Sequence, residues 1–392
     1  MEYLAEKARR MSPSPTLGID ALAKAMLAKG LDVVNFGVGE PDFPTPEPIV
    51  EAAIRALRDG MTKYAPAAGL PALREAIAAK LRRENGLDYA PGEVVVSVGA
   101  KHVLYNLFQV LLNEGDEVLI PSPHWVSYPE QVKLAGVVPV FVPTAATDGF
   151  RLTAAALRPR ITAKTRALII NSPNNPTGAV YPPKDLEEIA QNCLTRGILI
   201  ISDEVYEKLV YGEATHTSIG SLAPEMKAIT VVVNALSKAY AMTGWRLGYA
   251  AGPAPLIKAV ADLQSQSTSN VTTFVQPAAV QALNGPQDEL ERMVAEFTVR
   301  RSLMLEGVAG IPWLSVQPPR GAFYLFPALA PGLPDDARVA EILLEEGPVA
   351  LVPGSGFGAP GHLRFSYAVS RERIAAGLER VGTVLQRLAG EG

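Results

Sequence analysis

The feature that most constrains the fold of this chain is a regular alternation of short apolar runs with longer amphipathic stretches through its middle part. The apolar runs are rich in β-branched residues and predict buried strands at Glu93–Val98, Glu117–Ile120, Val137–Val142, Ala167–Ile170, Ile198–Ser202 and Ile229–Val233. Helices are predicted between them at Ala100–Asn113, Ser127–Ala135 and Asp185–Thr195. Because apolar strands separated by helices form a mostly parallel sheet covered on both faces, we expect a large α/β domain at residues 46–285.

The pattern changes after Asn284-Gly285-Pro286. A long charged helix is predicted at Gln287–Glu306 and a last helix at Arg371–Leu388. Between them we predict short strands around Phe323–Phe326, Ala350–Leu351 and Leu363–Ser366. We therefore expect a smaller α+β domain at residues 286–392, against which residues 1–45 pack. A chain of 392 residues is also longer than one ordinary compact unit.

The composition excludes several classes of protein. The 36 Lys and Arg nearly balance the 40 Asp and Glu, so there is no basic surface to attract nucleic acid or anionic membranes. A single cysteine, Cys193, excludes an intramolecular disulfide framework and suits a reducing compartment. The four histidines are dispersed and do not have the spacing of metal ligands, so we predict no metal site. The start, MEYLAEKARRM, lacks the apolar stretch of a secretory signal. We expect a cytoplasmic globular protein.

Polar residues follow the predicted strands at the edge where open α/β sheets bind their ligands. Gly99-Ala100-Lys101 opens a helix, where backbone N–H groups can bind a phosphate. Asn171–Gly178 consists of turn formers, Asp203 is a carboxylate at the end of a buried strand, and Lys238 precedes Arg246 by eight residues. Each feature alone fits a turn, a helix cap or a solvated charge. Together they suit pyridoxal phosphate, which needs a lysine, a carboxylate for its ring nitrogen and donors for its phosphate.

The chain resembles the class I and II aminotransferases of the pyridoxal-phosphate-dependent transferase fold type I over essentially its full length. It is most similar to their bacterial aspartate aminotransferase branch, some members of which also use prephenate. The resemblance implies a large domain with a mostly parallel central sheet covered by helices and a smaller α+β domain. The matching motifs are Gly39-Glu40-Pro41-Asp42-Phe43, Lys63-Tyr64-Ala65-Pro66, SPNNPTG (172–178), SDEVY (202–206), SKAYAMTGWRLGY (237–249) and HLRFSYA (362–368).

The resemblance also implies roles around the cofactor ring. Lys238 matches the lysine that forms the Schiff base and moves the proton during transamination. Asp203 matches the partner of the ring nitrogen. Tyr206 and Asn175 match the residues that hydrogen-bond the ring oxygen, and Trp125 matches the aromatic residue that stacks on the ring.

The same resemblance implies a phosphate site and a subunit interface. The phosphate would be held by the backbone amides of Gly99, Ala100 and Lys101, by Ser237 and by Arg246. Tyr64 matches a tyrosine that reaches the phosphate in the neighbouring subunit, which implies a homodimer with shared active sites. One position departs from many relatives, which carry a serine where this chain has Ala235, so one phosphate hydroxyl is missing.

For the substrate, Arg364 matches the arginine that binds the α-carboxylate, and Gly39 adds a backbone contact there; Trp125 and Asn175 also face the substrate. In the branch that this chain resembles, the distal carboxylate is bound at the positions of Lys101, Ser14 and Thr16. The resemblance thus implies transfer of the amino group of L-aspartate to 2-oxoglutarate by a ping-pong mechanism, in which the cofactor alternates between its aldehyde and amine forms.

Several alternatives stay open or are disfavoured by the sequence. Members of the same fold act on prephenate, on aromatic or kynurenine-type amino acids, or as carbon–sulfur lyases, and Lys238 and Asp203 do not distinguish these chemistries. A cofactor-sensing transcription regulator would need a basic DNA-binding domain before the motif at Gly39. A nicotinamide oxidoreductase is disfavoured, since the glycines at 354–358 have the wrong spacing and do not follow the first strand of a βαβ unit.

Overall fold

A computed structural model describes residues 3–9, 11–13 and 15–390 of the chain. Its strands are β1 (Val34–Asn35), β2 (Val94–Ser97), β3 (Glu117–Ser122), β4 (Val138–Pro143), β5 (Thr165–Asn171), β6 (Leu199–Asp203), β7 (Thr230–Ala235), β8 (Gly248–Ala251), β9 (Leu314–Ser315), β10 (Tyr324–Leu325), β11 (Ala328–Leu329), β12 (Val349–Ala350), β13 (Val352–Pro353) and β14 (Leu363–Ser366). Its α-helices are α1 (Glu6–Arg9), α2 (Pro15–Ala28), α3 (Glu47–Arg58), α4 (Pro71–Asn85), α5 (Ala100–Leu111), α6 (Ser127–Leu134), α7 (Ala154–Leu157), α8 (Pro183–Leu194), α9 (Leu236–Ala239), α10 (Ala254–Ser265), α11 (Val275–Asn284), α12 (Asp288–Ala309), α13 (Asp336–Glu345) and α14 (Arg371–Gly390). None of these helices is both long and apolar enough to cross a membrane.

The central element is a seven-stranded sheet with the order β2-β8-β7-β6-β5-β3-β4. Strands β4, β3, β5, β6 and β7 run parallel to one another, and β8 lies antiparallel between β2 and β7. The predicted fold class, a mostly parallel sheet covered by helices, is therefore confirmed. All six strands predicted for this sheet are present, with bounds that differ by up to two residues.

Both faces of the sheet are covered, because successive side chains of each strand point to opposite sides. On one side Ile169 packs in a cluster with Val103 and Leu107 of α5. On the other side its neighbour Leu168 packs in a cluster with Ile189 of α8. The strands are therefore apolar throughout, which is the property that made them recognisable in the sequence.

The C-terminal part is built around the packing of α12 against α14 and a small antiparallel sheet of β10, β14 and β13. Strand β1 near the N-terminus pairs in parallel with β12, so that Val34 lies opposite Val349. Ala23 of α2 is buried in a cluster with Val33, Leu344 and Ala350. These contacts support the grouping of residues 1–45 with residues 286–392, whose exact division from residues 46–285 stays a prediction.

Candidate active site

A cavity of about 520 Å³ lies at the carboxyl ends of β5, β6 and β7. Parallel strands bring the residues that follow them to one edge of the sheet, and strands β10 and β14 close the cavity from the C-terminal part. Its lining includes Thr16, Gly39, Ala100, Lys101, Trp125, Tyr128, Asn175, Asp203, Tyr206, Ala235, Ser237, Lys238, Arg246, Tyr324 and Arg364. The structure thus brings together most of the residues that the sequence motifs singled out.

Lys238 lies in α9, directly after the buried strand β7. Its Nζ donates a hydrogen bond of 2.5 Å to the carbonyl oxygen of Gly39. Desolvation lowers the pKa of Lys238 to about 8, and the cations Arg364, Arg246 and Lys101 act in the same direction. An amine with this pKa is partly unprotonated near neutral pH, which is the state in which a lysine acts as a nucleophile or a base.

Asp203 ends β6 and is buried. Burial raises the pKa of its carboxyl to about 6, against the effect of hydrogen bonds that stabilise the charged form. The hydroxyl of Tyr128 donates to Asp203 Oδ2 at 2.6 Å, and the backbone N–H of Val205 donates to Oδ1 at 3.3 Å. A buried carboxylate held in this way is suited to a cationic partner inside the cavity.

The sequence analysis did not single out Tyr128. It lies on α6 three residues after Trp125, and the two rings pack edge to face with their centroids 5.4 Å apart. Trp125 itself precedes α6, so no helical spacing in the sequence links the two residues.

Arg364 on β14 is 1% exposed. Its Nη1 donates to Asn175 Oδ1 at 3.0 Å, and its Nη2 donates to the carbonyl oxygen of Gly37 at 2.8 Å. The guanidinium lies 4.5 Å from the ring centroid of Tyr324. Its Nε is buried without a hydrogen-bond partner. A buried guanidinium with an unused donor is suited to bind a carboxylate.

The segment Asn171–Gly178 forms the turn that its composition predicts. Asn174 Oδ1 accepts hydrogen bonds from the N–H and the hydroxyl of Thr177, at 3.1 and 2.8 Å. Asn171 Oδ1 accepts from the N–H of Asn175 at 2.9 Å, which fixes Asn175 beside Arg364. Tyr206 lies nearby with its hydroxyl 2.9 Å from the hydroxyl of Tyr324.

A cradle for an anion lies at the start of α5. Gly99 precedes this helix with a φ of 80°, and a Cβ there would come within 2.6 Å of Arg246 Nη2. The positive φ therefore favours glycine, and a side chain at this position would displace the guanidinium of Arg246. Arg246 donates to the carbonyl oxygen of Thr243 at 2.9 Å, and Ser237 lines the same cavity.

Lys101 and Thr16 also line the cavity. The Nζ of Lys101 lies 4.9 Å from the ring centroid of Trp125. Desolvation lowers the pKa of Lys101, and the charge of Arg246 adds to this effect. Ser14, which the resemblance pairs with Thr16, lies outside the described residues.

Tyr64 is the one described residue of the predicted set that lies away from this cavity. Its side chain is 90% exposed on the single chain. Ala235 does line the cavity, so the methyl group stands where many relatives present a hydroxyl.

The donor set fits pyridoxal phosphate. Arg246, Ser237 and the N–H groups at the start of α5 suit its phosphate, and the buried carboxylate of Asp203 suits a protonated ring nitrogen. Lys238 supplies an amine of lowered pKa for the aldehyde. The cavity thus offers a matching partner for each of the three polar parts of the cofactor.

Comparisons with known proteins give the same assignment. The sequence model of the family described as aminotransferase class I and II matches residues 31–381. The chain is 53% identical over 390 residues to a probable aspartate/prephenate aminotransferase of Aquifex aeolicus, covering 98% of this chain and 99% of that protein. It is 52% identical over 392 residues to an aspartate aminotransferase of Geobacillus stearothermophilus, covering 98% and 100%. The solved structure of the aspartate aminotransferase from Thermus thermophilus with maleate superposes with a TM-score of 0.95 at 47% identity, covering 98% of this chain and 100% of that one.

These matches confirm the resemblance, the fold and the cofactor that were predicted from the motifs. On its sequence, its fold and the geometry of this cavity, the chain belongs to the class I and II aminotransferases, which are enzymes dependent on pyridoxal phosphate.

Proposed function

We propose that this enzyme transfers the amino group of L-aspartate to 2-oxoglutarate, giving oxaloacetate and L-glutamate. The observation that carries the proposal is a set of three cations in the cavity, Arg246, Lys101 and Arg364. Within the part of the chain that the structure describes, none of them forms an ion pair with a carboxylate. These three cations would match three anionic groups, namely the phosphate of the cofactor and the two carboxylates of the substrate. The names of the relatives support the same choice of substrate.

When bound, pyridoxal phosphate supplies the aldehyde that receives the amino group and a ring that withdraws electrons from the substrate α-carbon. We assign its phosphate to Arg246, Ser237 and the backbone amides of Gly99, Ala100 and Lys101. Asp203 would keep the ring nitrogen protonated, Trp125 would stack on the ring, and Tyr206 and Asn175 would bond the ring oxygen. All of these residues except Gly99 line the cavity. Gly99 lies beside the guanidinium of Arg246, which is part of the lining.

Arg364 would bind the substrate α-carboxylate with its forked donors, with the backbone of Gly39 beside it. A bidentate pair fixes the orientation of the bound group, so it also directs the α C–H bond of the substrate. Asn175 and the carbonyl oxygen of Gly37 hold the guanidinium in place for this task. Lys238 would then carry a proton on its Nζ from the α-carbon of the substrate to the aldehyde carbon of the cofactor. A pKa near 8 lets its amine serve first as the base and then as the acid.

Lys101, Thr16 and Ser14 would bind the distal carboxylate of aspartate. The ammonium of Lys101 has an aromatic ring beside it but no carboxylate partner among the described residues. Prephenate is the second candidate substrate, since relatives named aspartate/prephenate aminotransferases cover almost the whole chain. Prephenate also carries two carboxylates, so the same cations suit it.

We propose in addition that the enzyme is a cytoplasmic homodimer with active sites shared across the interface. The single cysteine, which is buried, suits a reducing compartment. The exposed ring of Tyr64 supports a contact with a second subunit, in which it would reach the phosphate.

The first experiment is the visible absorption spectrum of the purified protein, before and after addition of L-aspartate without any keto acid. We expect a yellow band from the cofactor joined to Lys238, and its loss on addition of aspartate. L-alanine at the same concentration and the Lys238→Ala variant are the controls. A yellow protein that aspartate leaves unchanged would contradict the substrate assignment, and a protein that stays colourless after supply of pyridoxal phosphate would contradict the whole proposal. In the reverse direction, L-glutamate is the amino donor and oxaloacetate is the acceptor. Replacing oxaloacetate by prephenate in this assay tests the second candidate substrate.

A further inference from the structure

A buried cluster of charged and amide side chains lies outside the lining of the cavity. We call it the rear cluster and define it as Lys80, Asn85, Glu204, Glu207, His216 and Asn234. The side chain of His216 is 9% exposed, and each other member is at most 9% exposed as a residue. Its members come from α4, from the segment that follows β6 and from the end of β7. The reaction proposed above uses none of them.

The charges of the rear cluster compensate one another. The ammonium of Lys80 pairs with the carboxylate of Glu207. His216 Nε2 lies 3.1 Å from Glu204 Oε2. Burial lowers the pKa of His216, but the charge and hydrogen bond of Glu204 together with the charge of Glu207 raise this pKa above its ordinary value. Ligand atoms of Glu204, Glu207 and His216 lie within 4.8 Å of one another, but Lys80 already supplies a cation there. The cluster is therefore a closed structural unit rather than a binding site for an ion.

One member of the rear cluster, Asn234, links the cluster by hydrogen bonds to the backbone that leads to Lys238. Asn234 Nδ2 donates to Glu207 Oε1 at 2.8 Å. Asn234 Oδ1 accepts from the backbone N–H of Ala235 at 2.7 Å. Ala235 is the residue that precedes α9, and Lys238 is the third residue of this helix. A continuous path thus runs from Lys80 through Glu207 and Asn234 to the start of the lysine helix.

Helix α9 needs such an external support. It has only four residues, and a helix this short does not hold its own direction in isolation. Ala235 in front of it provides no side-chain hydrogen bond to its first N–H groups, and the N–H of Leu236 makes a long bond of 3.4 Å to the carbonyl oxygen of Leu247. The position of Lys238 Nζ depends on this helix, and a displacement of about 1 Å of a reacting group can lower a rate roughly a hundredfold.

We propose that Asn234 is a positioning residue for Lys238, anchored by the buried pair of Glu207 and Lys80. The inference rests on the proposed function in that it takes Lys238 as the reacting amine. Asn234 is not part of the cavity lining, so its effect is exerted through the backbone of Ala235.

Asn85 provides a matched control. It is the same residue type, is buried in the same cluster and also donates to Glu207, at 2.6 Å. It accepts from Lys80 at 2.8 Å, and among the described residues the side-chain hydrogen bonds of Asn85 go to Lys80, Glu204 and Glu207 rather than to the lysine helix. Asn234→Ala and Asn85→Ala therefore remove equivalent side chains from one network, and only Asn234→Ala breaks the link to Ala235.

Three quantities are to be measured for the wild type and both variants. The first is the affinity of the apo-protein for pyridoxal phosphate, followed by absorbance. The second is the rate at which Lys238 in the apo-protein reacts with trinitrobenzenesulfonate, with Lys238→Ala giving the background from other lysines. The third is Tm of the apo-protein. We expect Asn234→Ala to lower the affinity at least about tenfold and to change the Lys238 reaction rate severalfold. Asn85→Ala should lower Tm by as much or more, with affinity and rate within about twofold of the wild type.

Equal changes of affinity and rate in the two variants would overturn the proposal, because they would show a general loss of packing. Wild-type values in Asn234→Ala would overturn it as well. If Asn234→Ala does not fold, Asn234→Ser serves in its place, since its hydroxyl fills part of the volume. The Lys238 reaction needs no cofactor, so it decides the role of Asn234 even if the wild type fails to bind pyridoxal phosphate and the proposed function falls.

Discussion

The acidity of Asp203 depends on one neighbouring hydroxyl. Burial raises the pKa of this carboxyl to about 6, and the hydrogen bond from Tyr128 is the largest effect that opposes the rise. The two groups lie 2.6 Å apart, and both side chains are buried. In the role proposed above, Asp203 would have to be ionised to hold a protonated ring nitrogen, so Tyr128 would extend the pH range in which Asp203 can do so.

Replacing Tyr128 by Phe removes this hydroxyl and keeps the ring. We expect the pKa of Asp203 to rise further, so that the carboxyl takes up its proton at a higher pH. The acidic limb of the kcat/KM profile should then move upward by about one pH unit, with the loss of activity greatest below that limb. The measurement is kcat/KM for aspartate as a function of pH. Tyr211→Phe is the control, because it removes a buried hydroxyl that bonds the carbonyl oxygen of Ala322 instead; a shift as large in this variant would contradict the assignment.

Lys101 and Lys24 provide a second comparison at the level of single residues. Both line the cavity, but Lys24 forms an ion pair with Asp20 at 2.7 Å, whereas Lys101 contacts the ring of Trp125. Lys101→Ala should raise KM for L-aspartate about tenfold to a hundredfold, which corresponds to loss of one charge-assisted hydrogen bond. KM for an apolar amino donor should change little. Steady-state kinetics with both donors checks this, and a similar rise of KM in Lys24→Ala would refute a special role of Lys101.

At the scale of elements, the segment Gly37–Thr45 joins the two parts of the molecule. On one side Thr45 bonds the carbonyl oxygen of Ala241 at 2.7 Å, and Gly39 accepts from Lys238. On the other side Asp42 binds Arg300 of α12 at 2.7 Å. The segment that forms one wall of the cavity is thus held from both directions.

Arg300 is the anchor of this segment in the C-terminal part. It is 6% exposed, lies over the rings of Phe43 and Phe297, and pairs with both Asp42 and Glu296. Arg300→Met keeps the apolar stem and removes the cation that pairs with Asp42, whereas Glu296 keeps its pair with Arg371. We therefore expect the free energy of unfolding to fall by about 1–3 kcal/mol. KM for aspartate should rise as well, since Gly39 loses its support.

Urea unfolding of the apo-protein measures the change in stability. Arg338→Met is the control, because Arg338 pairs with Glu341 on the exposed surface of α13 and should contribute little. Equal stability of the two variants would contradict the role given to Arg300.

The sequence predicted those elements whose residues carry a local signal. The parallel strands were found because they are uniformly apolar and β-branched. Strand β8 (Gly248–Ala251) was missed, because Gly-Tyr-Ala-Ala has little strand propensity and becomes a strand only through its pairing with β2 and β7. Asp203 and Lys238 were found from their places after strands. Tyr128 was not found, since nothing in its local sequence reveals a partner 75 residues away.

The substrate side of the cavity was least accessible to local reasoning. Arg364 was recognised from the family motif alone, because alternation along its strand also allows a surface arginine. Its burial against Asn175 and Gly37 results from contacts between distant parts of the chain. Such contacts arise from tertiary packing, which the hydrophobic periodicity of a sequence does not indicate.

For the whole molecule, the exposed ring of Tyr64 leads to a prediction about active sites that contain residues of both subunits. If Tyr64 of one subunit reaches the phosphate site of the other, the cofactor site of each chain depends on the Tyr64 of its partner. A Tyr64→Ala chain then has a weakened cofactor site only when its partner also lacks Tyr64. Mixing Tyr64→Ala chains with Lys238→Ala chains should then restore normal cofactor affinity in about a quarter of all sites, because about half of the dimers are mixed and each has one complete site.

The reference mixture contains the wild type and a chain with both substitutions. Its mixed dimers should contain no complete site, because the intact Lys238 faces a partner without Tyr64. The wild-type dimers of this mixture, about a quarter of all dimers, keep two complete sites each, so the shared arrangement predicts equal activity of the two mixtures at limiting cofactor concentration. A Tyr64 that acted in its own subunit would instead give complete sites in about half of the reference mixture and in none of the first mixture. A complete site in the mixed dimers of the reference would place Tyr64 in its own subunit's site and contradict the shared arrangement.

Lys238 and Arg246 both belong to the short connection between β7 and β8, with Asp203 on the adjacent strand. Arg364, by contrast, meets partners that lie 189 and 327 positions away in the chain. The proposed Schiff-base lysine, the phosphate arginine and the partner of the ring nitrogen thus come from one compact stretch and the strand beside it, whereas the proposed α-carboxylate site depends on distant stretches that meet only after folding. Mutations in those outer stretches can change the preferred amino acid while the cofactor stays attached, so a single inherited catalytic centre can be adapted to many different amino donors.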